Sequence, residues 1–335
     1  MKKLISILLA AAMILALCAC GGQSAAPAED GAQNAAPEAE ATEKKKIAIV
    51  PWDMAETFAV DFAHAATESI ESMGWEAIVM DPKGDWAQEY TILENLITQG
   101  IDGVIYTAID SDGANDIIAE FKEAGIPIVG YDCLASDGTE DAAVRYNDVA
   151  GGALAAQYLL ESLENKEDPQ IILFESDPSI SSSILREQGF IDYMKEHCPN
   201  ADIVLNRSQD NSANGCYTWA NDMITAYPDA DGFFCYWSDC TMATYNALKD
   251  AGITDVRIAG YDATDDQKAA MAADGVDGLL QVCPGMSAAK MARQCVQFLD
   301  EIYNGTYERT GPEDIYEMDP VVLTAENAAE FDINA

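Results

Sequence analysis

Ile128–Cys133 reads IVGYDC, and Ile258–Ala263 reads IAGYDA. Each is a short apolar run, rich in β-branched residues, that closes on Gly-Tyr-Asp. Runs of this length, bounded by turn residues, have the pattern of a buried β-strand. The first is entered through Gly125-Ile126-Pro127, and Asp132 and Asp262 stand 130 residues apart. One chain therefore finishes two distant strands with the same polar tip, which predicts two equivalent units.

The pattern on either side supports this. KIAIVP (46–51), WEAIVMD (75–81) and DGVIYTA (102–108) read as strands. Helical spacing fills Ala55 to Met73, Trp86 to Thr98 and Ser111 to Ala124 between them. Four strand–helix steps in a row predict a parallel, doubly wound sheet. The chain passes VRYND and the pair Gly151-Gly152, and the pattern restarts. Strands are expected at QIILFE (170–175), ADIVLN (201–206), GFFCYW (232–237), VRIAGYD (256–262) and GLLQVC (278–283). Helices are expected over Ser183 to His197, Ser212 to Ala226, Asp239 to Ala251, Asp265 to Ala273 and Ser287 to Tyr303. PVVLTAENAAEF (320–331) adds a last strand and a helical turn. The fold class is α/β, with two doubly wound parallel-sheet lobes, a hinge and an interlobe cleft.

Open parallel sheets bind ligands beyond the carboxyl ends of their strands. The candidate residues are therefore Trp52 and Asp53, Asp81, Ala108 to Asp110, Asp132, Glu175 to Ser182, Tyr236 to Asp239, Asp262 and Gln281 to Cys283. If the lobes face one another, Asp132 and Asp262 point into a shared cleft. The structural alternative is that both aspartates cap helices, which is most direct for Asp262, ahead of a helical stretch.

Residues 1–20 form a separate object. Lys2 and Lys3 precede an apolar run of 14 residues, Leu4 to Leu17, the pattern of an export signal. The run ends Leu17-Cys18-Ala19-Cys20, which resembles a bacterial lipobox and implies that Cys20 is the lipidated N-terminus. Residues 21–46 are rich in Ala, Glu, Gln and Pro and read as a disordered tether. A 26-residue tether of this kind spans about 28 Å. The body divides into 47–147 plus 284–309 for an N-terminal lobe and 148–283 plus 310–335 for a C-terminal lobe.

A net charge of −40 with only 18 Lys and Arg argues against nucleic-acid binding, because phosphate backbones are repelled. Seven cysteines follow Cys20 with irregular spacing and no CxxC, and the chain has two histidines, His64 and His197. A zinc cage finds no support in that inventory, and small buried thiols are expected. No cofactor is expected.

With these landmarks in place, the chain resembles the type I periplasmic sugar-binding proteins of the ribose-binding group. KIAIVPWDMAETF (46–58), QGIDGVIYTAIDSDG (99–113), AGIPIVGYD (124–132), YNDVAGG (146–152), REQGF (186–190) and VRIAGYD (256–262) carry the resemblance in this order. It implies that Phe58 stacks on a sugar ring and that Asp132 and Arg186 grip hydroxyls. Tyr261 and Asp262 supply an aromatic–acid pair from the second lobe. Carboxylates and guanidinium form charge-assisted bonds to hydroxyls, and ring faces pack on the CH face of a sugar.

The chain departs from the family pattern in several places. Cys133 stands where the family has Arg, and Ala59 where it has a second stacking aromatic. Trp237 aligns with an amide, and Asn211 with an aromatic. Gln281 aligns with a glutamine near the last crossing. With Trp52 and Asp53, these complete the candidate ligand-binding set. The cleft is more acidic than the family pattern and suits either a neutral sugar or a ligand carrying an amine.

The resemblance further implies a monomeric receptor held outside the cell membrane, with ABC permease subunits as partners. A ligand-presenting sensor subunit for a membrane receptor or kinase is the alternative. GxSxG, HExxH and the phosphate-binding GxxxxGK[ST] are all missing, which argues against enzymatic chemistry. An export signal where a DNA-binding helix pair would stand argues against a transcription regulator.

Overall fold

The computed structural model describes residues 44–334. The expected export signal, Cys20 and almost all of the tether lie outside the described residues.

The first lobe opens with β1 (Lys46–Val50), α1 (Thr57–Ser72), β2 (Glu76–Val79), α2 (Trp86–Gln99), β3 (Gly103–Tyr106), α3 (Ala114–Ala124), β4 (Ile128–Tyr131) and β5 (Ala142–Tyr146). Ile47, Ala48, Ile49 and Val50 are fully buried, because helices cover both faces of the sheet. That is why its strands read as continuous apolar runs rather than alternating ones. Asp85 starts α2 by accepting from the Gln88 amide at 2.9 Å, and left-handed Gly100 ends it.

The chain then crosses into the second lobe. α4 (Asp148–Ser162), β6 (Gln170–Phe174), α5 (Ser181–His197), β7 (Asp202–Asn206), α6 (Ala213–Ala226) and β8 (Gly232–Phe234) come first. α7 (Ser238–Asp250), β9 (Arg257–Ala259), α8 (Asp265–Asp274) and β10 (Leu280–Gly285) follow. α9 (Ala288–Tyr303) returns to the first lobe, β11 (Tyr316–Met318) joins its sheet, and β12 (Val321–Thr324) ends in the second. The sheet orders are β11-β5-β4-β3-β1-β2 and β12-β10-β9-β8-β6-β7. All pairings are parallel except the edge pair β10–β12.

Two features differ from the sequence expectation. The pair Gly151-Gly152, expected to interrupt the pattern, lies inside α4. A Cβ on Gly152 would strike the Arg186 carbonyl oxygen, and one on Gly189 the Val149 carbonyl oxygen. The glycines let α4 and α5 touch backbone to backbone, so here glycine marks close packing instead of a turn.

The third crossing is also corrected. Residues 310–318 belong to the first lobe, because β11 pairs in parallel with β5, and the chain crosses at Asp319-Pro320. Arg309 secures this segment. Its Nη1 reaches Glu140 Oε2 at 3.1 Å, and both side chains are buried. Glu140 also accepts from Tyr106 Oη at 3.2 Å and from the Ala135 amide at 2.8 Å.

Candidate functional site

Both Gly-Tyr-Asp tips end in a left-handed residue, with φ of 55° at Asp132 and 81° at Asp262. Aspartate tolerates this conformation better than most side chains. The Asp132 amide donates to Val144 O at 3.0 Å and the Asp262 amide to Pro284 O at 2.8 Å. Each tip stays tied to its neighbouring strand while its carboxylate turns off the sheet edge.

Asp262 does not cap the helix that follows it. Thr264, with Gln267, caps α8. Asp262 instead reaches sideways, and its Oδ2 accepts the Ser238 amide at the start of α7 at 2.7 Å. Asp262 Oδ1 then lies 3.9 Å from Arg186 Nη1.

Arg186, buried on α5, gathers the site. Nε donates to Asp148 Oδ1 at 2.8 Å, Nη1 to Tyr236 O at 2.9 Å and Nη2 to Asp132 Oδ1 at 3.0 Å. The guanidinium also lies over the Tyr261 ring, 4.2 Å from its centroid. Tyr261 Oη donates to Asp148 Oδ1 at 3.4 Å. A rigid fork is suited to holding several oxygens in a fixed plane. Burial pushes Asp148 up to about 6 against the pull of Arg186. Burial raises Asp132 and Asp262 too, again opposed by Arg186.

The space in front of this network holds about 770 Å³, its open mouth included. Trp52, Phe58, Tyr131, Tyr236 and Trp237 give it aromatic walls. Tyr131 is fixed from behind by stacking on Phe62, with 3.6 Å between centroids. Trp237 stands edge-on to Phe174 at 4.8 Å. The lobes meet beside the cleft: the Ser111 amide donates to Ser179 O at 3.0 Å and the Leu134 amide to Ser181 Oγ at 3.1 Å. Cys133 Sγ lies 3.0 Å from Ser182 Oγ.

Of the candidate residues, Trp52, Phe58, Asp132, Arg186, Asn211, Trp237 and Asp262 line this space. Tyr261 is fully buried behind it and supports Arg186. Asp53 stays in the loop after β1, where its Oδ1 accepts the Ala55 amide at 2.8 Å. Gln281 is not brought to the cleft. A register shift in β10 at this residue turns the side chain back to Gly278 O at 2.5 Å and Val276 O at 3.3 Å.

Two acids at the site escaped the strand-end criterion. Glu56, just before α1, lines the cavity. Burial, then Asp239, Asp262, Asp53 and Asp132, push it up to about 8. Asp148 opens α4, a helix hidden by its glycines. The only advance signal for either was an acid at the start of an element that follows a strand. All seven cysteines from Cys133 onward are buried and free. No group of three or more His, Cys, Asp or Glu among the described residues forms a metal cage.

Residues 47–306 match the sequence model of the periplasmic binding protein domain. The ribose import binding protein of Salmonella typhimurium (strain LT2) is 23% identical over 274 residues, covering 82% of this chain and 90% of that relative. The xylitol-binding protein of Mycolicibacterium smegmatis is 25% identical over 269 residues, covering 79% and 71%. A solved ABC transporter solute binding protein from Agrobacterium vitis, with bound D-fucose, superposes with a TM-score of 0.78 at 21% identity. That match covers 86% of this chain and 98% of the other. At this identity the likeness bears on the fold.

Proposed function

The chain belongs to the periplasmic binding protein family, in its type I sugar-binding group, and from this premise we propose an extracytoplasmic receptor that captures a small polyhydroxylated ligand, a sugar or polyol, and delivers it to an ABC importer. The observation that carries the reading is Arg186. It is held between Asp132 of one lobe and Asp148 of the other, at the back of an aromatic cleft. Its fixed fork and the Asp132 carboxylate present acceptor and donor edges to hydroxyl groups, and the indole and phenyl faces take the CH side of the ring. The protein binds its ligand and performs no chemistry on it. Hinge closure at the three crossings buries the ligand and forms the surface that a permease reads.

Lipidation at Cys20 holds the receptor at the membrane, with residues 21–46 as its tether. Labelled palmitate should enter the parent and not Cys20→Ala, which should be shed into the medium. The binding function is tested by a screen of pentoses, hexoses and polyols that follows tryptophan emission and thermal stability. A ligand should shift both, since Trp52 and Trp237 line the cleft. Uptake of the same compound should stop when the receptor is deleted, whereas loss of signalling with intact uptake would move the function to a sensor.

A further inference from the structure

The cleft holds more carboxyl groups than bases. Glu56, Asp132 and Asp262 line it, and Arg186 is the single base among the lining residues. That base is already committed, since each of its three nitrogens donates within the protein. One of them is spent on Asp148, behind the cavity wall. Asp262 Oδ1, at 3.9 Å from Arg186 Nη1, is beyond hydrogen-bond reach. The Glu56 carboxylate accepts no hydrogen bond from any described residue, yet it faces the cavity. Two acids, one from each lobe, therefore look into the same space with no base in hydrogen-bond reach.

We propose that the ligand is a polyhydroxylated compound bearing a protonated amine, and that Glu56 and Asp262 receive the ammonium group. This inference rests on the receptor function above and narrows its ligand class. A neutral sugar would leave Glu56 holding its proton beside the other acids, because hydroxyls donate hydrogen bonds without supplying charge. An ammonium favours the ionised form of Glu56, balances the carboxylates and offers three donors. Trp52, Phe58 and Trp237 line the same space, and aromatic rings attract a cation through their quadrupoles. Asp132 and the guanidinium N–H of Arg186 not donated within the protein remain for the hydroxyls. The elevated affinity of Glu56 for a proton has the same origin. Burial and the acids Asp53, Asp132, Asp239 and Asp262 around it all favour a positive partner, with Arg186 the sole opposing charge lining the cleft.

A complex mixture of metabolites serves as the probe. Yeast extract is split at pH 7 on a strong cation exchanger, and the protein is melted with each fraction. The retained fraction should raise the melting temperature through binding to the folded state. Treating that fraction with aqueous acetic anhydride, which turns amines into neutral amides, should abolish the effect. Glu56→Gln should need at least ten times more of the retained fraction for half the shift. Stabilisation by the unretained fraction alone would overturn the amine and leave the receptor intact. An acetylation-resistant effect would overturn the amine as well, and an unchanged Glu56→Gln titration would remove Glu56 as its seat. No effect of either fraction would remove the receptor reading together with the amine.

Discussion

Arg186 Nη2 lies 3.0 Å from Asp132 Oδ1, across the boundary between the lobes. This contact joins the left-handed tip of β4 to a helix that belongs to the other sheet. The pair serves two purposes at once: it ties one lobe to the other and presents a donor–acceptor edge to the cleft.

Asp132→Ala should weaken ligand binding by about 2 kcal/mol or more, since a buried polar group of the ligand would lose its acceptor and Arg186 one of its partners. Calorimetric titration of the parent and the variant measures this. Equal affinities would take Asp132 out of the binding site.

Glu89 gives a pH prediction. It is fully buried on α2, with Oε2 accepting the Ile109 amide at 3.0 Å and Oε1 buried without a partner. Burial pushes it from 4.5 up to about 8, opposed by the Ile109 bond and reinforced by Asp110. A raised folded value means that its contribution is fully present below 4.5 and lost as pH rises toward 8. Glu89→Gln imitates the protonated form, so it should gain on the parent in melting temperature between about pH 5 and about pH 8. A pH-independent difference would contradict the shift.

Gly152→Ala should destabilise the fold by about 1–3 kcal/mol through overpacking against the Arg186 carbonyl. It should also weaken ligand binding, because Arg186 moves with its helix. Gly311→Ala, where the added carbon meets nothing within 4 Å, is the control and should be near neutral. Denaturant titration separates the two.

Arg309→Ala should cost about 3–5 kcal/mol, because it leaves Glu140 buried with an unpaired charge. Loss on this scale would confirm that residues 310–318 are integral to the first lobe. A surface-like effect below about 1 kcal/mol would assign Arg309 to a solvated pair.

Much of the architecture was legible because a doubly covered parallel sheet writes itself as short apolar runs, as in Ile47 to Val50. The tips were legible because a polar residue ends each run. α4 was not, since Gly151 and Gly152 carry the same letters whether they bend a chain or let two helices touch. Gln281 failed for a related reason: a one-residue irregularity in β10 reverses where a side chain points. Glu56 lies before a helix and away from any strand tip, so its position at the cavity depends on how the loop after β1 folds over. That information is tertiary.

The placement of β11 has a consequence for how the molecule is made. Its first sheet begins at Lys46 and receives its last strand at Met318, after the chain has laid down nearly all of the other sheet. During synthesis, the first sheet cannot complete itself until most of the second has been made, and a protein truncated before residue 316 leaves β5 as an exposed edge. The last edge of the first half is therefore made only after most of the second half.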